Sequence, residues 1–157
     1  LITQVDKSGA KVLLDTPVTP DFIKDGGYDA VILAVGSSPA RPPIPGLDDP
    51  SVEHATTVYT KLENVGKRVA VLGGGLVGCE TGLFLATEAG KKVPILEMLP
   101  EVATDEMHLT RDALLDRLNE HTTVITKARC TGITASGVTY VDGDGNLTIT
   151  NAPFVRH

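Results

Sequence analysis

A glycine-rich pattern that follows a short apolar segment is the part of this chain best suited to bind a ligand. Residues 69–72 are apolar and lead into GxGxxG, after which a second apolar stretch has helical spacing. Glycines in this pattern permit a tight turn and let the backbone approach a pyrophosphate, whose charge the following helix N-terminus stabilises. We therefore predict a dinucleotide-binding turn formed by Gly73, Gly74, Gly75, Leu76, Val77 and Gly78. An ordinary strand-to-helix turn is the alternative.

A carboxylate follows at the separation expected for contact with a ribose. Glu97 ends the next apolar run and lies 19 residues after Gly78, close to the spacing of about 20 at which an acidic side chain binds ribose hydroxyls. A solvated charge at a strand end is the alternative. Glu101 also follows, whereas Lys91 and Lys92 lie at the far end of the run. Because no cation is placed for a 2′-phosphate, the sequence favours NAD(H) over NADP(H).

The elements around these residues predict an α/β fold, with a Rossmann-like parallel sheet flanked by helices. Two apolar runs, 69–72 and 93–96, have the length of buried parallel strands, and 122–126 is expected to be the third strand. Two helices are expected between them, over 76–89, ended by Gly90, and over 105–119, begun by Thr104. The second helix is expected to bury one stripe, made of Met107, Leu114, Leu115 and Leu118.

An antiparallel β-meander is expected near the C-terminus, because turn residues at 142–146 separate two short apolar segments, 138–141 and 147–150. The acidic turn is similar to the start of a calcium loop. Leu147 and Pro153 stand where such a loop requires glycine and glutamate, so a hairpin is favoured over a metal site.

The N-terminal residues 1–36 predict a helix, a strand, a second helix and a second strand. Thr19, Pro20 and Asp21 are typical of a helix N-terminus, and Gly26 follows as a stop. Apolar runs at 11–14 and 29–35 are interpreted as strands. Five prolines in the twelve residues 39–50 indicate an extended connector, so the predicted division is a first part, 1–50, and a nucleotide-binding domain, 51–157.

Composition and charge exclude several classes of protein. The 157 residues are 41% apolar, enough for one core, and the net charge of −6 opposes binding to nucleic acid or an anionic membrane. No apolar stretch reaches 18 residues and no signal peptide is found, so a cytoplasmic location is expected. Cys79 and Cys130 form no CxxC pair, and the histidines are scattered; neither a metal site, a redox dithiol nor a catalytic residue is assigned.

Three segments in order resemble a known family: AVGSSPARPPIPG, GGGLVGCE and LEMLPE. Together they resemble the pyridine-nucleotide domain of flavoproteins with two dinucleotide-binding domains. A narrower resemblance is to the NADH:flavin oxidoreductases of the old yellow enzyme type, such as 2,4-dienoyl-CoA reductase, 2-enoate reductase and trimethylamine dehydrogenase. It extends over the chain to about residue 130.

This resemblance implies FAD, FMN and an iron–sulfur cluster in the parent protein, and a flavin domain and a barrel as partners of this region. It places Glu80 near the nicotinamide, and an acid in the first turn of the helix, where it stabilises the helix dipole, explains the residue equally well. Two residues depart from the family pattern. Val35 replaces the usual Thr of an ATG-like motif, and Pro94 lies within a central strand, where pairing is expected to be complete only after it.

The resemblance also implies that the chain is a piece of a larger enzyme. The family domain closes with one more parallel strand after the meander, and residues 151–157 are not expected to supply it. We hypothesise that residues 29–35 fill that position beside 69–72, because a buried parallel sheet cannot leave backbone groups unpaired. A separate lobe or intermolecular pairing are the alternatives.

The function predicted from the sequence is NADH binding for hydride transfer to a flavin in the parent enzyme, with the 157 residues alone inactive in turnover. Two alternatives stay open. One is the corresponding domain of a pyridine-nucleotide disulfide reductase, and the other is a non-catalytic nucleotide-sensing module.

Overall fold

The structure is a computed structural model that describes residues 2–150 and 154–156, apart from the side chains of 108, 109 and 154–156. The chain forms two compact units, Leu1–Ser38 and Pro39–His157. The proline-rich segment belongs to the second unit.

The first unit contains two short helices, α1 (Ile2–Lys7) and α2 (Pro20–Asp25). The predicted start of α2 is confirmed, since Thr19 Oγ1 accepts a hydrogen bond from the Phe22 amide at 3.2 Å. The strands predicted at 11–14 and 29–35 are wrong: within the described residues of this unit neither run forms a strand, and Ile32 is 91% exposed. A strand gains stability from paired neighbours and a buried face, and this unit provides neither for these runs.

The second unit contains a parallel five-stranded sheet. Its strands are β1 (Glu53–His54), β2 (Ala70–Leu72), β3 (Pro94–Leu96), β4 (Thr123–Ile125) and β8 (Phe154–Arg156). Their order across the sheet is β1-β8-β2-β3-β4. The Rossmann-like α/β prediction and the three parallel strands predicted for it, β2, β3 and β4, are confirmed. Pro94 is the first residue of β3, a position that tolerates proline, and β3 pairs with β2 from Ile95 onward.

Two parts of the hypothesis for the last strand are wrong: that residues 151–157 do not supply it, and that residues 29–35 do. β8 lies between β1 and β2, with Val155 opposite Val71, so the C-terminal segment supplies the strand and residues 29–35 do not. The pairing requires three residues of extended backbone, a length too short to give a recognisable apolar run. Residues 151–153 and 157 lie outside the described part.

Helices cover one face of this sheet. They are the short α3 (Ala55–Val58), α4 (Leu76–Thr87) and α5 (His108–His121), and a 3₁₀ turn, Leu62–Asn64, precedes β2. Val71, Ile95, Leu83, Leu85 and Leu118 belong to the core on this side. Ala70, Leu72 and Leu96 belong to a second core cluster. Successive residues of β2 and β3 thus alternate between the two core clusters, as expected for strands that are buried on both faces.

The start of α5 differs from the prediction. The helix begins at His108 with Met107 as N-cap, and Thr104 is not a cap. The preceding residues are held elsewhere, because Asp105 accepts a hydrogen bond from the Leu76 amide. Met107 is 75% exposed, so its assignment to the buried stripe is wrong, whereas Leu118 is fully buried and Leu114 and Leu115 are partly buried against the core.

The second core cluster is formed with an antiparallel meander of β5 (Arg129–Thr134), β6 (Gly137–Val141) and β7 (Leu147–Thr150). The predicted hairpin is confirmed: Asp142 Oδ1 accepts hydrogen bonds from the amides of Asp144 and Asn146 at 3.0 and 2.8 Å. Among the described residues no group of three or more potential ligands is placed to hold a metal ion.

The proline-rich segment packs on this meander. Pro45 accepts a hydrogen bond from the Ile133 amide at 2.8 Å, and Leu47 is buried in the same cluster.

Across the described part of the chain, every helix is too short or too polar to span a bilayer.

Candidate functional site: a glycine turn and the cavity beside it

The glycine-rich turn connects β2 to α4 at the carboxyl end of the sheet. Gly73 has φ +100°, a conformation that favours glycine, and its amide donates to Leu96 O at 2.9 Å. The turn is therefore fixed to the end of the neighbouring strand, at the edge where parallel α/β sheets bind ligands.

Gly74 is required by close packing on two sides. An ideal Cβ there would lie 2.5 Å from Val102 Cγ1 and 2.9 Å from Glu97 Cβ. Its amide donates to Glu97 Oε2 at 2.6 Å, and its carbonyl accepts from the Ala103 amide at 2.7 Å. The GxGxxG pattern leaves this position free, so the pattern does not reveal why a glycine stands here.

Helix α4 starts at Leu76, with Gly75 as an N-cap that has no side chain to satisfy the first amides. Amides of the first helical turn have no acceptor within the helix. The Leu76 amide donates to Asp105, with distances of 3.0 Å to Oδ1 and 3.3 Å to Oδ2. A carboxylate thus lies where a helix N-terminus stabilises an anion. Sequence reasoning missed Asp105 because it lies 29 residues away.

Glu97 lies beside the turn, as its position after β3 predicts. It is 8% exposed, and its second oxygen, Oε1, accepts a hydrogen bond from the Leu99 amide at 2.7 Å. Both oxygens therefore contact the main chain, which fixes the orientation of the carboxylate. Each oxygen has a further lone pair for a hydroxyl donor. Contact with a ribose stays a prediction.

Glu80 lies on α4 with its side chain exposed. It is the fifth residue of the helix, and the first turn contains no acidic residue. The electrostatic explanation offered for it from the sequence, a first-turn acid, is therefore wrong. Its predicted approach to the nicotinamide stays a prediction.

A cavity of about 410 Å³ opens at the carboxyl ends of β2 and β3 within the second unit. Its walls are mainly apolar, and two charged residues, Glu97 and Arg129, line it. The remaining lining comes from the proline-rich segment, the two strand ends and the start of the meander: Ala40, Pro42, Pro43, Ile44, Leu47, Leu72, Gly73, Leu96, Met98, Ala128 and Cys130. A flat apolar group joined to a polar one suits such a space.

Arg129 is a cation that the sequence analysis did not consider. It lies 32 residues after Glu97 in the sequence, yet both line the cavity. Among the described residues, no ion pair involves its guanidinium. In the folded chain a cation therefore lines the same cavity as the Glu97 carboxylate, which the local sequence does not indicate.

The two cysteines have the character of packing residues. Burial raises the pKa of the Cys79 thiol to about 11, and its Sγ donates to Gly74 O at 3.3 Å. Burial also raises the pKa of Cys130. Both thiols are free and protonated at neutral pH.

The parallel sheet, the glycine turn at its carboxyl edge and the helix that follows define a Rossmann-like dinucleotide-binding domain. The chain belongs to the pyridine nucleotide-disulphide oxidoreductase family, whose model matches residues 2–154.

Curated relatives of the chain include reductases and an oxidase. The chain is 40% identical over 111 residues to a cinnamate reductase of Clostridium sporogenes, covering 69% of this chain and 16% of that protein. It is 36% identical over 122 residues to a bilirubin reductase of Mediterraneibacter gnavus, covering 77% and 19%. It is 35% identical over 153 residues to an NADH oxidase of Thermoanaerobacter brockii, covering 92% and 23%. The chain therefore spans less than a quarter of the length of each.

Among solved structures, a 2-naphthoyl-CoA reductase in complex with 2-naphthoyl-CoA superposes with a TM-score of 0.76 at 26% identity. The match covers 99% of this chain and 24% of that one. This chain is thus an oxidoreductase-family domain with the fold of flavoprotein reductases.

Proposed function

We propose that the chain is the NADH-binding domain of a multi-cofactor NADH:flavin oxidoreductase of the old yellow enzyme type. The observation that carries the proposal is the juxtaposition of the glycine turn, the fixed carboxylate of Glu97 and the adjoining cavity. The likeness to a cinnamate reductase and to a 2-naphthoyl-CoA reductase supports this class. The 157 residues alone are expected to bind nucleotide without turning over.

Three parts of NADH have a counterpart in this arrangement: the diphosphate, the adenosine ribose and the adenine. The first amides of α4 would hold the diphosphate, Glu97 would bind the hydroxyls of the adenosine ribose, and the apolar cavity would take the adenine. When bound, the nicotinamide supplies a hydride for a flavin. The residues of this chain hold the nucleotide and orient it, and we assign them no proton or hydride transfer.

The remaining components of the parent enzyme are proposed from the resemblance. They are FAD, FMN and an iron–sulfur cluster, carried by a flavin domain and a barrel that would contact this domain, in an enzyme that binds neither nucleic acid nor membrane and acts in the cytoplasm. The corresponding domain of a disulfide reductase is the second candidate, which the family match favours. A redox-active dithiol elsewhere in the parent sequence would favour the disulfide reductase over the NADH:flavin oxidoreductase.

The preference for NADH depends on two opposite charges. Glu97 repels a 2′-phosphate, whereas Arg129 on the same cavity attracts one. Because Glu97 is buried and fixed beside the turn while Arg129 is exposed, we expect repulsion to prevail. NADH should bind more tightly than NADPH.

Calorimetric titration with NADH and NADPH tests both proposals. Glu97→Gln should weaken NADH binding by roughly three- to thirtyfold, the loss of a charge-assisted hydrogen bond, and should reduce the discrimination against NADPH. Glu63→Gln, an exposed glutamate in the 3₁₀ turn, is the matched control. No heat with either nucleotide would contradict the function, and unchanged discrimination in Glu97→Gln would contradict the role of this carboxylate.

A further inference from the structure

Residues 101–106 lie against the glycine turn and are fixed there by several contacts. Val102 is buried next to Gly74, and the Ala103 amide donates to Gly74 O at 2.7 Å. Arg111 on α5 donates to Val102 O through Nε at 3.1 Å and through Nη2 at 2.9 Å. We call this stretch the 101–106 segment.

The segment brings Asp105 to the N-terminus of α4. Its carboxylate accepts the Leu76 amide hydrogen bond, although the residue is otherwise exposed to solvent. Ala103 has φ +51°, in the left-handed region that is unfavourable for an alanine. The placement of Asp105 therefore depends on tertiary contacts and not on a local preference of the chain.

We propose that Asp105 competes with the diphosphate of the dinucleotide for the Leu76 amide and so sets the affinity of the site. This inference rests on the proposed function. The amide has one hydrogen and serves either the carboxylate or a phosphate oxygen. Two anions at one helix N-terminus also repel each other. Binding therefore exchanges one anion for the other, with the Asp105 side chain turned toward solvent.

Removing the Asp105 carboxylate should tighten dinucleotide binding. Removing a residue that contacts the dinucleotide would weaken it. Asp105→Asn keeps the shape and removes the charge, and Asp105→Ala removes the acceptor as well. We expect the Kd for ADP-ribose and for NADH to fall by about two- to fivefold, the range for one charge at a helix terminus.

Glu106→Gln is the matched control. It removes the same charge one residue along, but the Glu106 carboxylate accepts from the Met107 amide at 2.8 Å and from Thr110 Oγ1 at 2.6 Å, at the start of α5. A change in general electrostatics would affect both variants. Competition at Leu76 affects only the Asp105 variants.

The experiment titrates the 157-residue chain with ADP-ribose, NADH and adenosine. Adenosine has no diphosphate, so its affinity should be the same in wild type and in Asp105→Ala. The proposal is overturned if Asp105→Ala binds ADP-ribose no more tightly than wild type, or if adenosine gains as much. If the wild-type chain binds none of the three, the proposed function fails and the inference with it.

Thermal unfolding with and without nucleotide distinguishes competition by Asp105 from a purely structural role of this residue. Without nucleotide, Asp105→Ala should unfold at a lower temperature, because the Leu76 amide loses its acceptor. With saturating ADP-ribose its rise in unfolding temperature should exceed that of wild type, because tighter binding adds more stability. A lower unfolding temperature together with a smaller rise would show that Asp105 only supports the turn.

Discussion

At the scale of single residues, the tightest constraint on the nucleotide turn is at Gly74. Its neighbours are the fixed carboxylate of Glu97 and the buried side chain of Val102. Its amide and its carbonyl both take part in hydrogen bonds to other segments. A side chain at this position would separate the three segments that form the site.

We predict that Gly74→Ala destabilises the chain by about 1–3 kcal/mol, the usual cost of overpacking, and abolishes NADH binding. Gly132→Ala is the control, because an ideal Cβ at Gly132 meets no atom within 4 Å, and it should change stability by less than about 0.5 kcal/mol. Urea unfolding measures both. Equal losses in the two variants would contradict the packing argument.

At the scale of elements, the hairpin between β6 and β7 depends on one carboxylate. Hydrogen bonds from the backbone and side chain of Asn146 hold the pKa of Asp142 below its ordinary value of 3.8. A lowered pKa means that the ionised form favours the folded state. The stabilisation is present above the ordinary pKa and is lost as pH falls through the folded one.

We therefore expect Asp142→Asn to destabilise the chain at neutral pH, and the difference from wild type to shrink below about pH 4. Asp144→Asn is the control, since Asp144 contributes its backbone N–H rather than its carboxylate to the contacts of Asp142. Urea unfolding at a series of pH values measures the difference. A difference in the free energy of unfolding between wild type and Asp142→Asn that does not change with pH would contradict this explanation.

At the scale of the whole molecule, the parallel sheet is completed by the strand most distant in sequence from its partners. β8 lies between β1 and β2, and β2 leads directly into the glycine turn. Without β8 both neighbours would have an unpaired edge inside the sheet, which is costly for buried backbone.

Ending the chain after Thr150 should therefore abolish cooperative unfolding and NADH binding together. The matched control begins the chain at Pro39 and keeps all of the second unit; it should retain both properties. Thermal unfolding and NADH titration of the two truncated chains provide the comparison. A cooperative, NADH-binding chain that ends at Thr150 would show that β8 is dispensable.

Much of the second unit was predictable because its signals are local. The apolar run at 69–72, the glycines after it and the stop at Gly90 act within a few residues, and the helix and strands they predict are confirmed. The start of α5 was not predictable from the sequence. Threonine is a common N-cap residue, so Thr104 is the expected first position. Hydrogen bonds of Ala103 and Asp105 to the glycine turn instead hold this segment outside the helix.

By itself the sequence determined the α/β class, the position of the glycine turn and the carboxylate beside it, since each depends on residue type and spacing along the chain. Only the tertiary structure decided which segment completes the sheet, that Arg129 shares a cavity with Glu97, and that Asp105 holds the Leu76 amide. The physical reason is that these pairings join residues far apart in the chain. Their free energy comes from closing the fold rather than from any local preference.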